Sequence, residues 1–285
     1  MNTPLPSIFV SHGSPMIALE PGEAGAFMQR LGPAVDASFG RPKAIVSISA
    51  HTAARVPVVF SAARHEAVHD FGGFDPKLFT LRYDAPGDPA LAVRVLGLLQ
   101  AKGIAAQSIP EGGLDHGAWT ALRYLYPAAD IPVVPLAFVA SASPAAQFVL
   151  GEALAALAGE GVLVLGSGSI THNLRRAFAG GLNSPRQAPE IAESAAFRRW
   201  FADRSAARDW DALFAYRSQA PHAADMHPTD EHLLPWYVAA GAGGRVALPC
   251  RLHDGVEMGC IGMDAYAFGP NAEALAETLG AVSPA

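Results

Sequence analysis

Short apolar runs that alternate with helix-forming segments constrain the fold of this chain more than any other feature. Such runs, bounded by polar residues or glycine, are typical of strands that are buried on both faces of a parallel sheet. They predict strands at 7–10, 44–49, 57–60, 131–137, 162–165 and 246–248. The segments between them predict helices at 86–102, 118–126, 144–158 and 189–203, and 255–268 predicts one more strand or hairpin.

This alternation predicts the α/β fold class, with a mainly parallel or mixed central sheet flanked by helices. Neither an internal repeat nor a long polar linker interrupts the sequence, so we expect a single domain over residues 1–285. The aromatic residues between positions 197 and 214 are spaced for one face of an amphipathic helix, and we interpret them as core.

Composition excludes several function classes. Charged residues make up 16% of the chain and the net charge is −6 without any basic run, so binding to nucleic acid is not expected. No apolar run approaches the length of a membrane span and no signal peptide is evident, which predicts a cytoplasmic protein without a membrane partner. The low charged fraction is compatible with a homodimer, and Cys250 and Cys260 are expected to be free, buried thiols.

Four of the ten histidines lie where a predicted strand or loop meets the next element, at His12, His51, His172 and His232. Side chains at the carboxyl ends of strands in an open α/β sheet converge on one crevice, and neutral imidazole is the commonest metal ligand. The four positions therefore predict a metal site, although each histidine alone would also fit a hydrogen-bonded side chain at a strand end.

The sequence around His232 supports this hypothesis. Pro228 and Thr229 predict a helix start, with Thr229 as the cap and His232 in the first turn, where the helix dipole keeps imidazole neutral. Two further histidines are acid or base candidates at the rim of a site: His116 at the start of a helix and His69 in a loop. The Gly/Ser loop predicted at 166–169 fits either a bound phosphate or close passage of the backbone past a metal or substrate, and it lacks a P-loop lysine.

Together these motifs closely resemble the 4,5-DOPA extradiol dioxygenase family of the LigB-type, class III ring-opening dioxygenases. The resemblance extends from about residue 7 to 268 and rests on motifs in the family's order: His12-Gly-Ser-Pro, Ser-Ala-His51, His69-Asp-Phe-Gly-Gly-Phe, Asp-His116-Gly, His172-Asn, Pro-Thr-Asp-Glu-His232 and Gly255-Val-Glu-Met-Gly. It implies an oxidoreductase that opens a catechol ring beside its hydroxyls, using O2 and non-haem Fe(II), and places both oxygen atoms in the product.

The resemblance also implies roles for single residues. It makes His12, His51 and His232 the metal ligands, and His172 either a fourth ligand or the acid/base that moves catechol protons. His116 would hydrogen-bond the substrate hydroxyl or bound oxygen. Substrate contacts are also implied for His69 and Ser14.

One of these positions departs from part of the superfamily. The protocatechuate-cleaving relatives have a glutamate where this chain has His232. An all-histidine site suits Zn(II) as well as Fe(II).

Two other functions fit the same residues. A zinc-dependent hydrolase would use the metal to activate water, although the chain has no HExxH motif and no general-base carboxylate better placed than Glu231. A non-catalytic binding protein could retain the fold without the activity. Oxygen consumption with a catechol distinguishes the dioxygenase from both.

Overall fold

A mixed sheet of eight strands forms the centre of the protein in the computed structural model, which describes residues 3–181 and 185–280. The strands in chain order are β1 (Ser7–Ser11), β2 (Ala44–Ser49), β3 (Val58–Phe60), β4 (Arg64–His65), β5 (Ala85–Pro86), β6 (Gln107–Ile109), β7 (Val133–Ala137), β8 (Val162–Gly168), β9 (Cys250–His253), β10 (Val256–Glu257), β11 (Ile261–Gly262) and β12 (Ala265–Phe268). The central sheet has the order β6-β3-β7-β2-β8-β1-β12-β9, while β4 pairs with β5 and β10 with β11.

The middle of the sheet is parallel and its flanks are partly antiparallel. Strand β2 pairs in parallel with β7 and β8, and β8 pairs in parallel with β1. Strand β12 runs antiparallel to both β1 and β9, and β3 runs antiparallel to β7. The α/β class with a mixed sheet is confirmed, and the carboxyl ends of β1, β2 and β8 lie at the same edge.

Helices cover both faces of this sheet. They are α1 (Gly22–Phe39), α2 (Pro89–Ala101), α3 (His116–Leu125), α4 (Pro144–Leu154), α5 (Leu157–Glu160), α6 (Leu174–Ala177), α7 (Ala192–Ala207), α8 (Trp210–Phe214), α9 (Tyr216–Gln219), α10 (Ala223–Met226), α11 (Leu234–Gly243) and α12 (Ala272–Leu279). Two 3-10 helices span Pro15–Ala18 and Pro76–Thr80. Within the described ranges, no helix combines the length and the apolar character that crossing a membrane requires.

Alternate residues of the central strands point into two separate cores. Ile8 and Val10 of β1 pack in the core that includes residues of α1, α3 and α12, whereas Phe9 packs in the core with α4, α7 and α11. The period of two follows from the pleat, which turns successive side chains to opposite faces. The aromatic residues predicted as core lie mainly on the second side, where Phe197 and Phe201 are fully buried.

The structure corrects several boundaries. Residues 246–248 are not a strand: they form a loop in which Val246 is 84% exposed, and β9 begins only at Cys250. The segment predicted at 144–158 divides into α4 and α5. Strand β8 continues to Gly168, so the glycines and serines expected in a loop belong largely to a central strand. Both cysteines are free and buried, as expected.

Candidate active site

Five histidine rings meet at the carboxyl edge of the sheet. His12 follows β1, His51 follows β2, and His116 is the first residue of α3. His172 follows β8, and His232 precedes α11. The centroid of the His51 ring lies 5.1 Å from that of His12, 4.0 Å from that of His116 and 4.9 Å from that of His232. The four histidines predicted to converge do so, and His116 joins them.

Hydrogen bonds determine which nitrogen of His12 carries its proton. The Ser167 hydroxyl donates to the carbonyl oxygen of Gly117 at 2.6 Å, so its oxygen is free to accept. His12 Nδ1 lies 2.9 Å from that oxygen and is therefore the protonated nitrogen. Its Nε2 keeps a lone pair and faces His51 Nε2 at 3.1 Å.

A single carboxylate, that of Asp70, contacts two of the rings. Its Oδ1 accepts hydrogen bonds from the backbone N–H of His116 at 3.0 Å and from His116 Nδ1 at 2.9 Å. Its Oδ2 lies 3.8 Å from His51 Nδ1. Although burial opposes it, hydrogen bonding from His116 lowers the pKa of Asp70 to about 2, so the carboxylate is ionised.

A second carboxylate, Asp115, joins the two chain segments that bear these rings. It caps α3 by accepting from the backbone N–H of Ala118 at 3.1 Å. It also accepts from the hydroxyl of Ser49 at 2.5 Å and from that of Thr52. The end of β2 and the start of α3 are thus held together independently of Asp70.

The surroundings of His232 differ from the sequence-based prediction. Helix α11 begins at Leu234, so His232 lies in a turn before the helix, and Thr229 does not cap it. Thr229 instead donates to the carboxylate of Glu231 at 3.0 Å. In this turn the Glu231 carboxylate reaches His232 Nδ1 at 3.1 Å, which leaves His232 Nε2 unprotonated.

Two glycines allow the rings to approach. A Cβ on Gly168 would lie 2.0 Å from the carbonyl oxygen of His232, and a Cβ on Gly117 would lie 2.8 Å from the ring of His12. Ser169 N–H donates to that same His232 carbonyl at 2.8 Å. Gly168 thus permits close approach of the His232 backbone, while close passage of 166–169 past a metal or substrate stays a prediction.

His172 stacks directly on His232. Their ring centroids are 3.4 Å apart and their planes differ by 9°. Since ring-nitrogen lone pairs lie in the ring plane, parallel stacking keeps the lone pairs of the two rings in separate, nearly parallel planes, and these planes do not meet at one point between the rings.

Burial favours the neutral form of four of these imidazoles, those of His12, His51, His172 and His232. It lowers the pKa of His12 and of His232 well below the usual range, with repulsion from neighbouring imidazoles adding to the effect. It likewise lowers the pKa of His172 to about 3. His51 has the same direction of shift, although its side chain is 24% exposed. At neutral pH these rings offer lone pairs rather than positive charges.

This donor set fits a divalent metal ion. Two imidazole nitrogens that bind one ion at about 2.1 Å lie about 3.2 Å apart, close to the 3.1 Å between Nε2 of His12 and Nε2 of His51. Two groups of potential ligands have donor atoms within 4.8 Å of one another: His12, His51 and His116, and His172, Glu231 and His232. Of the ligands implied by the sequence, two belong to the first group, His12 and His51. The other two, His172 and His232, belong to the second.

The two remaining site predictions lie farther out. Ser14 lines an open cavity of about 1200 Å³ that also contacts Phe74, Phe178 and Met263. His69 is held in its loop by a hydrogen bond to the carbonyl oxygen of Leu81 at 3.2 Å. Phe71 contacts the rings of both His69 and His116, at 5.8 and 5.6 Å between centroids. Among the described residues, no ring contact joins His69 to the five-histidine cluster.

Sequence reasoning missed the partners that orient the rings. Asp70 and Ser167 received no role, although Asp70 directly follows His69 in a quoted motif. The sequence indicates only that each histidine needs an acceptor for its second ring nitrogen. It does not indicate which residue serves, because the acceptors lie 46 residues from His116 and 155 residues from His12.

The chain is similar to known proteins over most of its length. The family described as the catalytic LigB subunit of aromatic ring-opening dioxygenase matches residues 6–268. Among curated proteins, 4,5-DOPA dioxygenase extradiol of Beta vulgaris is 34% identical over 265 residues, covering 92% of this chain and 96% of that protein. The protein of that name from Escherichia coli (strain K12) is 35% identical over 269 residues, covering 92% and 94%.

A solved structure is also similar. The crystal structure of an uncharacterized protein from Escherichia coli K12 superimposes with a TM-score of 0.71 at 28% identity, and the match covers 93% of this chain and 100% of that one.

Proposed function

The chain belongs to the LigB family of aromatic ring-opening dioxygenases, and we propose that it cleaves a catechol at the five-histidine cluster by extradiol ring opening with O2. The observation that supports this most strongly is the convergence of five imidazoles, three of which have an oxygen acceptor at Nδ1: His12, His116 and His232. Such acceptors orient metal-bound histidines and leave Nε2 free to bind. The relatives named 4,5-DOPA dioxygenase extradiol make 3,4-dihydroxyphenylalanine the first catechol to test.

We assign His12, His51 and His232 as the residues that would hold the metal. When bound, Fe(II) supplies the open coordination positions and the redox chemistry that a reaction with O2 requires. Zn(II) in the same site would not supply the redox chemistry. The hydrogen bonds from His12 to Ser167 and from His232 to Glu231 support the assignment, because each leaves Nε2 unprotonated.

For His172, the geometry favours the acid/base role over the ligand role. Its stack on His232 keeps the lone pairs of the two rings in nearly parallel planes, so an ion cannot lie in both planes unless one ring rotates. Burial holds the ring of His172 neutral and therefore able to accept a proton from a catechol hydroxyl. His116, on the other side of His51, is placed to contact the second hydroxyl.

The hydrolase alternative has less support. Many metal-dependent hydrolases use a carboxylate as general base, and here the Glu231 carboxylate already accepts hydrogen bonds from His232 and Thr229. Cytoplasmic location and a homodimeric state stay predictions from composition.

The test is reconstitution of metal-free protein with Fe(II) under anaerobic conditions, followed by addition of O2 and a panel of catechols. We expect one O2 consumed per catechol and a yellow ring-opened product, whereas the zinc-loaded protein consumes none. Absence of oxygen uptake with every catechol, in protein shown by metal analysis to contain stoichiometric iron, would refute the proposal.

A further inference from the structure

Asp70 contacts the site in a way that the family resemblance does not explain. Its Oδ1 binds both the backbone N–H and the Nδ1 of His116, so the carboxylate holds that ring relative to its own main chain. His116 is 6% exposed, so the contact lies at a buried ring. The carboxylate comes from the loop that follows His69 and not from the sheet edge.

The contact determines what His116 can do. An ionised carboxylate only accepts hydrogen bonds, so His116 Nδ1 carries a proton, and in the neutral ring this tautomer leaves a lone pair on Nε2. One ring nitrogen of His116 lies within 4.8 Å of donor atoms of His12 and His51, and Nε2 is the nitrogen not engaged by Asp70. In that neutral tautomer, Nε2 can accept from a catechol O–H but cannot donate to bound oxygen.

We propose that Asp70 is a positioning residue that holds His116 as a hydrogen-bond acceptor for a catechol hydroxyl and, through its second oxygen, directs Nε2 of His51 toward the metal. The inference rests on the proposed function only for the identity of the substrate. The proposal makes the substrate hydroxyl, and not bound oxygen, the partner of His116.

Loss of Asp70 is expected to leave the main chain around His116 in place and to change which ring nitrogen of His116 carries the proton. Asp115 independently links the end of β2 to the start of α3 through Ser49 and Thr52. Variants of Asp70 should therefore fold, while His116 loses the acceptor that selects its tautomer.

The test compares Asp70→Ala with Asp75→Ala. Asp75 lies in the same loop and accepts from the backbone N–H of Lys77 at 2.8 Å, so its removal perturbs the loop without touching a histidine. Ring-nitrogen NMR of the metal-free proteins reports the tautomer of His116. Competition with a chromophoric chelator gives zinc affinity, and titration of the zinc-loaded proteins with 4-nitrocatechol gives catechol affinity without turnover.

For Asp70→Ala we expect a mixture of His116 tautomers, zinc affinity reduced by about 10-fold to 100-fold, and weaker binding of 4-nitrocatechol. For Asp75→Ala the tautomer of His116 and the zinc affinity should match the unmodified protein; catechol affinity is not compared for this variant, because Asp75 lines the same cavity as Ser14. A third variant, Asp70→Asn, keeps an acceptor for His116 but loses the charge facing His51, so it should retain the His116 tautomer and still lose zinc affinity.

The proposal is overturned if Asp70→Ala retains the Nδ1-protonated tautomer, or if Asp75→Ala reproduces its effects. If Asp70→Ala does not fold, Asp70→Asn decides: unchanged zinc affinity in that variant contradicts the proposal. These measurements involve no turnover. Absence of ring cleavage by the iron-loaded protein would therefore refute the proposed function without changing their result.

Discussion

The carbonyl oxygen of His232 occupies the space beside Gly168 that a side chain there would need. A Cβ on Gly168 would lie 2.0 Å from that oxygen, and the neighbouring Ser169 N–H hydrogen-bonds to it at 2.8 Å. A central strand and the turn before α11 are thereby held in direct backbone contact. The position of His232 depends on this contact and not on a helix cap.

Replacing Gly168 with alanine should therefore displace His232. We expect Gly168→Ala to lower the free energy of unfolding by about 1–3 kcal/mol, the usual cost of overpacking, and to weaken zinc binding at least about 10-fold. Chemical denaturation and chelator competition measure the two effects. Gly97→Ala, in helix α2 with open space around it, is the matched control and should preserve both quantities or raise stability. Equal losses in the two variants would contradict the account.

Removing the hydroxyl of Ser167 should weaken metal binding through His12. Without this acceptor, His12 loses the partner that keeps its proton on Nδ1, and we expect Ser167→Ala to reduce zinc affinity by about 10-fold to 100-fold. Ser47→Ala provides the control, because Ser47 is also a buried strand serine but its hydroxyl has no hydrogen-bond partner in the described structure. Unchanged affinity in Ser167→Ala, measured by chelator competition, would show that His12 does not depend on this hydrogen bond.

Variants of His172 and His232 should differ in the amount of iron that they retain. We expect His172→Ala to retain iron but lose about 100-fold or more in kcat, and His232→Ala to lose the iron itself. Metal analysis after desalting, together with oxygen-electrode kinetics, distinguishes the two. Near-normal kcat in His172→Ala would rule out its acid/base role, and loss of iron in both variants would make His172 a ligand.

The stability of the metal-free protein should fall as the solution is acidified, partly through His227. This residue is fully buried and its Nε2–H donates to the carbonyl oxygen of Ile170 at 2.7 Å; burial lowers its pKa to about 4. In the unfolded chain the same side chain has a pKa of about 6.5, so on acidification the unfolded state binds a proton at a higher pH than the folded state does. The contribution of His227 to the free energy of unfolding is therefore fully present above about pH 6.5. It declines by about 3 kcal/mol as the pH falls through 4.

His227→Gln isolates this contribution, since glutamine can donate to Ile170 but does not titrate. Urea unfolding of both proteins between pH 7 and pH 4 should show a shallower decline for the variant. Parallel curves would mean that His227 does not supply the pH dependence.

The sequence predicted the parts of the fold and site that depend on local patterns. Buried strands such as β2 (Ala44–Ser49) follow from their apolar runs, and histidines directly after strands converge because parallel strands end at one edge. Asp115 caps α3 at the position where the sequence places a helix start.

Features that depend on distant contacts could not be predicted in this way. Residues 246–248 have strand-forming side chains, but Val246 packs against nothing that would bury it. The Pro228-Thr229 pattern favours a helix cap, yet the contact between His232 and β8 and the hydrogen bond to Glu231 place the helix start later. The acceptors for His12 and His116 come from residues far away in sequence, and no local pattern identifies them.

The central claim is that this histidine cluster inserts molecular oxygen into a catechol ring. A single turnover of the iron-loaded protein with 18O2 and 3,4-dihydroxyphenylalanine, analysed by mass spectrometry, tests it most directly. The account predicts a ring-opened product that contains both 18O atoms before exchange with water. A product without 18O from O2, or one labelled only from H218O, would contradict it.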